Sequence, residues 1–162
     1  MPTKKYVQDA HISENLRELH GALIGIVSAM NRPQRDEAII QAAGIRLDRA
    51  LFPLLVGIER LGPIGVVDLA DRVGRDYTTV SRQVAKLDSM GLVERQASAL
   101  DGRVRVASIT PQGKAMTERV DAAREKMAHA IFASWTAQEF DDLVRLMGKL
   151  AAAMDGEPPA TT

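Results

Sequence analysis

A chain of 162 residues with 46% hydrophobic content can bury a real core in one domain, or in two small lobes sharing a long helix. Aromatic residues are only 4%, so that core must be built from Leu, Val, Ile, Ala and Met, a composition that suits helices packed on helices. Cysteine is absent, which excludes a disulfide framework, a thiolate zinc site and a thiol redox sensor, and a formal net charge of zero announces no polyanion partner. The opening MPTKKYVQDAH has no apolar run after its lysines, and nowhere is there an apolar segment of the roughly 18 residues a membrane helix needs. The expectation is a cytoplasmic, soluble protein without a membrane partner.

The first predicted element is a helix from Ser13 to Met30, where Leu16, Leu19, Leu23, Ile26, Val27 and Met30 recur at intervals of three and four and share one face. Pro33 closes it. A shorter helix is expected from Gln34 to Ala43, ended by Gly44, and another after Asp48 to Arg60, in which Pro53 either delays the start or bends the first turns. Two short helices follow, "VVDLADRVG" ending at Gly74 and "DYTTVSRQVAKLDSMG" running from an Asp76 cap to Gly91. Ala70, Gly74 and Val80 have the spacing of a helix-turn-helix: a small residue where helices cross, a glycine for the left-handed turn, and an apolar residue beneath the second helix.

At 100° per residue, Tyr77, Val80, Val84 and Leu87 lie on one side of that second helix and are expected to face the core. Arg75, Thr78, Arg82, Lys86 and Ser89 lie opposite, with Thr79 and Gln83 on the flank. Hydroxyls, an amide and cations can bond both phosphates and base edges, and no acidic residue interrupts the face between Thr78 and Lys86. The neutral total charge hides a local bias, since residues 72–105 carry seven Arg and Lys against four Asp and Glu. "LVERQ" and "RVRVASI" are strand candidates separated by a tip near residues 97–102, forming a hairpin in which Arg103 and Arg105, two apart, project to the same side.

In the run "DLADRVGRDYTTVSRQVAKLDSMGLVERQ", then "DGRVRVASITPQG", the chain resembles the DNA-binding lobe of the MarR family of bacterial transcriptional regulators, over residues 47–113. The Asp-x-Arg of the wing falls on Asp101 and Arg103, "GLVER" on Gly91 to Arg95, and the "LTPxG" that opens the next helix on Ile109 to Gly113. The resemblance implies a mainly α fold with a small β-hairpin wing, a winged helix-turn-helix lobe (residues 47–110) between N-terminal helices (1–46) and C-terminal dimerisation helices (111–154), and a disordered tail (155–162). It further implies a homodimer whose first and last two helices form the interface, each recognition helix entering a major groove of double-stranded DNA and each wing following the flanking minor groove. The flanking sequence is compatible. Thr110 and Pro111 open a helix carrying Met116, Val120, Ala123, Met127 and Ala130, and the capping box from Thr136 to Glu139 opens a last helix with Phe140, Leu143, Val144, Met147, Leu150, Ala151 and Met154.

On this reading Thr78, Thr79 and Arg82 contact bases or phosphates, as does Arg75, and Lys86 is a phosphate anchor or a solvated charge. Arg103 is the wing arginine, Asp101 orients it through a salt bridge, and Arg105 is its companion or an exposed strand residue. Two departures stand out: Gly102 occupies a position that is often basic in relatives, and Tyr77, where small residues are usual, is a core anchor or a specificity element. The resemblance also implies a small, often aromatic acid as effector, bound between the dimer and DNA lobes, for which His20, Arg46, Arg49 and His129 are polar candidates. No cofactor is implied, and the three histidines include no close ligand pair. No catalytic constellation, nucleophile elbow or phosphate loop speaks for an enzyme; the competing class is a winged-helix dimer that binds protein instead of DNA.

Overall fold

The computed structural model describes residues 9–156. The elements run α1 (Asp9–Met30), α2 (Pro33–Ala43), α3 (Phe52–Leu61), β1 (Ile64–Gly65), α4 (Val66–Val73), α5 (Tyr77–Ser89), β2 (Val93–Ala97), β3 (Arg105–Ile109), α6 (Pro111–Ile131) and α7 (Ala137–Asp155). Helix α1 begins a turn before the expected Ser13, and Pro53 delays α3, whose first turn tolerates a residue without an N–H. Asp155, assigned to the tail, is the last residue of α7, and residues 157–162 lie outside the described residues.

The chain divides into two compact units, Met1–Asp121 and Ala122–Thr162. In the first, the core joins three helices and the sheet: Leu54, Leu55 and Ile58 of α3, Leu69 of α4, and Val80, Val84 and Leu87 of α5 are fully buried, with Ala107 of β3 among them. The sheet order is β1-β3-β2, all antiparallel, with Ile64 opposite Ala107, and Val93 to Ala97 opposite Ile109 to Arg105. Strand β1 adds to the expected hairpin a third strand that two residues give no periodicity to announce.

Glycine ends the helices of the helix-turn-helix. Gly74 and Gly91 sit at φ 67° and 74°, where a side chain would be strained. Their N–H groups, with those of Arg75 and Leu92, satisfy the last carbonyls of α4 and α5. Thr110 then clamps α6 to the end of α5: its hydroxyl donates to the Gly91 carbonyl at 2.6 Å and accepts from the Gly113 N–H at 3.0 Å. Gly113 is required by close approach, because a Cβ there would collide with the Leu92 carbonyl. Arg60 at the end of α3 reaches Asp121 of α6 at 2.6 Å.

The second unit holds the end of α6 and all of α7. The capping box is complete, with the Glu139 N–H donating to the Thr136 hydroxyl (3.2 Å) and the Thr136 N–H to the Glu139 carboxylate (2.8 Å). Phe132 meets Trp135 and Phe140 edge to face, with ring centroids 5.1 and 4.8 Å apart, and this cluster closes the turn between the helices. No residue of α7 is buried. Among the described residues, no helix is long and apolar enough to cross a membrane.

Candidate nucleic-acid interface

Helix α5 is fixed at its front by Asp76. The carboxylate accepts from the Thr79 N–H at 2.9 Å and from the Thr79 hydroxyl at 2.7 Å. The hydroxyl bond first and the backbone bond second hold Asp76 below its ordinary value of 3.8, with the Arg82 charge adding to the effect. Thr79 therefore commits its hydroxyl proton to the cap and offers incoming groups only acceptor lone pairs.

With Val80, Val84 and Leu87 seated in the core, the opposite ridge presents Thr78, Arg82 and Lys86 to solvent at intervals of four. Among the described residues, neither of these cations nor Arg103 or Arg105 of the wing enters an ion pair. Two clefts flank the ridge. The one toward α3 is lined by Asp48, Ala50, Leu51, Thr79, Arg82, Gln83 and Lys86 and encloses about 410 Å³. The other, toward the wing, encloses about 320 Å³ among Val66, Tyr77, Ser81, Asp88, Arg95 and Arg105. An ion pair of 2.8 Å between Arg95 of β2 and Asp88 of α5 ties the base of the β2–β3 hairpin to α5.

Three expectations are corrected by this geometry, and a fourth residue gains a second role. Tyr77 is 55% exposed and faces the second cleft, because the core beneath the front of α5 is already filled by Val80 and its neighbours. Arg75 braces the lobe as well as facing the helix start: its Nη1 donates to the Ala50 carbonyl at 2.6 Å and to the Gln83 side chain at 3.0 Å. Asp101 does not pair with the Arg103 guanidinium; its Oδ1 accepts from the Arg103 N–H at 3.0 Å and caps the turn. Arg103 lies in that turn, before β3 begins at Arg105, so strand alternation does not set the two arginines on one side.

The candidate ligand residues stand on separate elements. His20 lines a groove along α1 with Leu16, Arg17 and Leu23, Arg46 is exposed between α2 and α3, and Arg49 pairs with Glu37 at 3.6 Å. His129, in the second unit, lies 3.9 Å from Glu125 and lines an aromatic cleft with Phe132, Trp135 and Phe140. Val67 and Leu100 are 67% and 99% exposed, and an apolar residue in a loop or first helical turn carries no periodicity that would single it out.

Residues 47–108, from before α3 to the end of the wing, match the protein family described as HVO_A0114. The chain is 32% identical over 106 residues to YxaD of Bacillus subtilis (strain 168), an uncharacterised HTH-type transcriptional regulator, an alignment covering 64% of this chain and 74% of that one. The structure is similar to a MarR family protein from Bacillus stearothermophilus, with a TM-score of 0.69, 20% identity, and 89% and 98% of the two chains covered. It is also similar to a probable transcriptional regulator from Pseudomonas aeruginosa, with a TM-score of 0.52, 30% identity, and 78% and 96% covered. The chain belongs to the HTH-type transcriptional regulators, and its fold is that of the MarR family proteins. That family is one of DNA-binding regulators and is not enzymatic. In this HTH-type regulator the helix-turn-helix is α4 and α5, and the wing is the turn between β2 and β3.

Proposed function

We propose that the protein is a homodimeric repressor that reads a pseudo-palindromic operator, α5 entering the major groove and the wing lying along the adjacent minor groove. The observation that supports this most is the two-sided character of α5: an inner face buried without residue, and an outer ridge of Thr78, Arg82 and Lys86 whose cations have no ion-pair partner among the described residues. Cations outside ion pairs remain available to phosphates and to guanine edges. Thr78 and Arg82 make the central contacts, Lys86 holds a phosphate, Arg103 and Arg105 hold the flank, and Arg75, Thr79 and Asp101 keep the reading elements in shape. A twofold pair of modules implies half-sites roughly one helical turn apart.

The dimer is supported by α1 and α7, whose apolar side chains are largely uncovered in the single chain: Leu16, Ile26, Val27 and Met30 on one, Phe140, Val144, Met147 and Met154 on the other. Affinity for the operator is modulated in this reading by a small aromatic acid, with His20, Arg46, Arg49 and His129 as the polar groups to vary. The decisive experiment is selection from fragmented genomic DNA by the purified protein. An enriched inverted repeat, lost on Arg82→Ala and released by an aromatic acid, is the expected result. No enrichment at low salt, with Arg82→Ala and Arg103→Ala leaving binding to a protein partner intact, would establish the protein-binding alternative.

A further inference from the structure

The wing tip carries a side chain that the fold does not use. Leu100 is 99% exposed, and what surrounds it is built rather than slack. The Ser98 N–H donates to the Val104 carbonyl at 2.7 Å, and the Val104 N–H to the Asp101 carbonyl at 3.0 Å. The Leu100 N–H donates to the Ser98 hydroxyl at 3.2 Å, and the Asp101 carboxylate accepts from the Arg103 N–H at 3.0 Å. These bonds define a turn whose outermost side chain is apolar. They also engage Asp101, the one acidic group of the tip, with the backbone through its Oδ1. Ala97, Ser98, Ala99 and Gly102 around it are small, and a Cβ added at Gly102 would meet nothing within 4 Å, so on that side Leu100 stands clear of its neighbours.

We propose that Leu100 is a minor-groove wedge: with Arg103 and Arg105 engaging the phosphates on either side, its side chain is pressed against the groove floor and partly unstacks one base step. An apolar side chain inserted between cations is the means by which minor-groove proteins open a step and bend the duplex. Pyrimidine–purine steps unstack most easily, so the wedge acts as a specificity element without any base hydrogen bond, favouring such a step in the operator flank. The proposal rests on the reading of this protein as a DNA-binding dimer.

The test uses the full-length protein with Leu100→Ser, a change at an exposed tip that leaves the core untouched. Binding to the selected operator is measured across a salt series, with 2-aminopurine placed at each flanking step. For the native chain the fluorescence rises at one flanking step; Leu100→Ser abolishes the rise and weakens binding about tenfold. The slope of log affinity against log salt stays unchanged for Leu100→Ser, because no phosphate contact is lost, whereas Arg103→Ala lowers it by about 0.9. Native affinity and fluorescence retained in Leu100→Ser would overturn the wedge while leaving the DNA-binding reading standing. A native chain that enriches no DNA at low salt would overturn both.

Discussion

In the winged lobe Leu54, Leu55, Ile58, Leu69, Val80, Val84 and Leu87 are wholly withdrawn from water, whereas α7, with Phe140, Leu143, Val144, Met147 and Leu150 along its length, has no buried residue at all. Helix α1 shares the condition of α7, with Leu16 at 53% and Val27 at 54% exposure. Both regions obey the same apolar periodicity, and only one is satisfied by its own chain. Periodicity therefore records that a face will be covered, without recording by what. A lobe that completes its own core can hold a recognition helix rigidly; helices left uncovered need an outside surface, and a second copy of the same chain offers an identical one.

The sharpest way to break this contrast is a cavity in the self-sufficient lobe. Leu55 has no exposed surface, so Leu55→Ala removes packing from a site with little freedom to collapse and costs about 2–5 kcal/mol. Thermal unfolding followed by circular dichroism should show the loss, and operator binding should fall in step. Val144→Asp attacks the other region. It leaves the winged core alone but places a charge in the proposed interface, weakening the dimer by about 3 kcal/mol, roughly a hundredfold in Kd. Sedimentation should then show a monomer where the native chain is dimeric. A native chain that is monomeric at micromolar concentration would remove the explanation offered for α1 and α7.

Arg82→Ala probes the surface that the buried face of α5 presents outward. Loss of a base contact predicts about 1–3 kcal/mol of discrimination, with relaxed preference at one operator position. If Arg82 touches only phosphate, binding weakens evenly across sequences and the salt slope drops by about 0.9. Fluorescence anisotropy on a panel of single-base operator variants separates the two. Gly102→Lys is the smaller, opposite change. Gly102 is outside the left-handed region and a Cβ there meets nothing within 4 Å, so the substitution is free of strain and should raise the salt slope by about 0.9 without moving the melting temperature.

The parts of the fold legible in the sequence are those with local chemistry. Asp76, Thr136 with Glu139, and the glycines at 44, 74 and 91 each act within a few residues of themselves, and each does what its type predicts. The apolar faces were legible too, as stripes. What escaped depends on distance or on register. Arg75 is a brace because the Ala50 carbonyl, 25 residues away, lies within reach of its guanidinium. Arg103 falls outside β3 because the turn capped by Asp101 extends to Val104, a length that alternation cannot reveal. Tyr77 is exposed because the space beneath the helix start was already filled, which depends on three other elements.

The smallest effect expected lies at the cap that aims the recognition helix. Asp76 has its carboxyl held below 3.8 by the Thr79 hydroxyl and N–H, so its charged form is favoured by folding. A depressed native pKa means that the unfolded chain takes up the proton first as acid is added. The stabilisation is thus complete above pH of about 5, where both states are ionised, and is lost as the pH falls through the lowered native value. Asp76→Asn keeps a side-chain acceptor for the Thr79 N–H but cannot carry the charge. The difference in melting temperature between the two proteins should be constant between pH 7 and 5 and shrink on descent to pH 3. A difference that stays constant over the whole range would mean that the carboxylate charge contributes nothing and that the cap acts through its hydrogen-bond geometry alone.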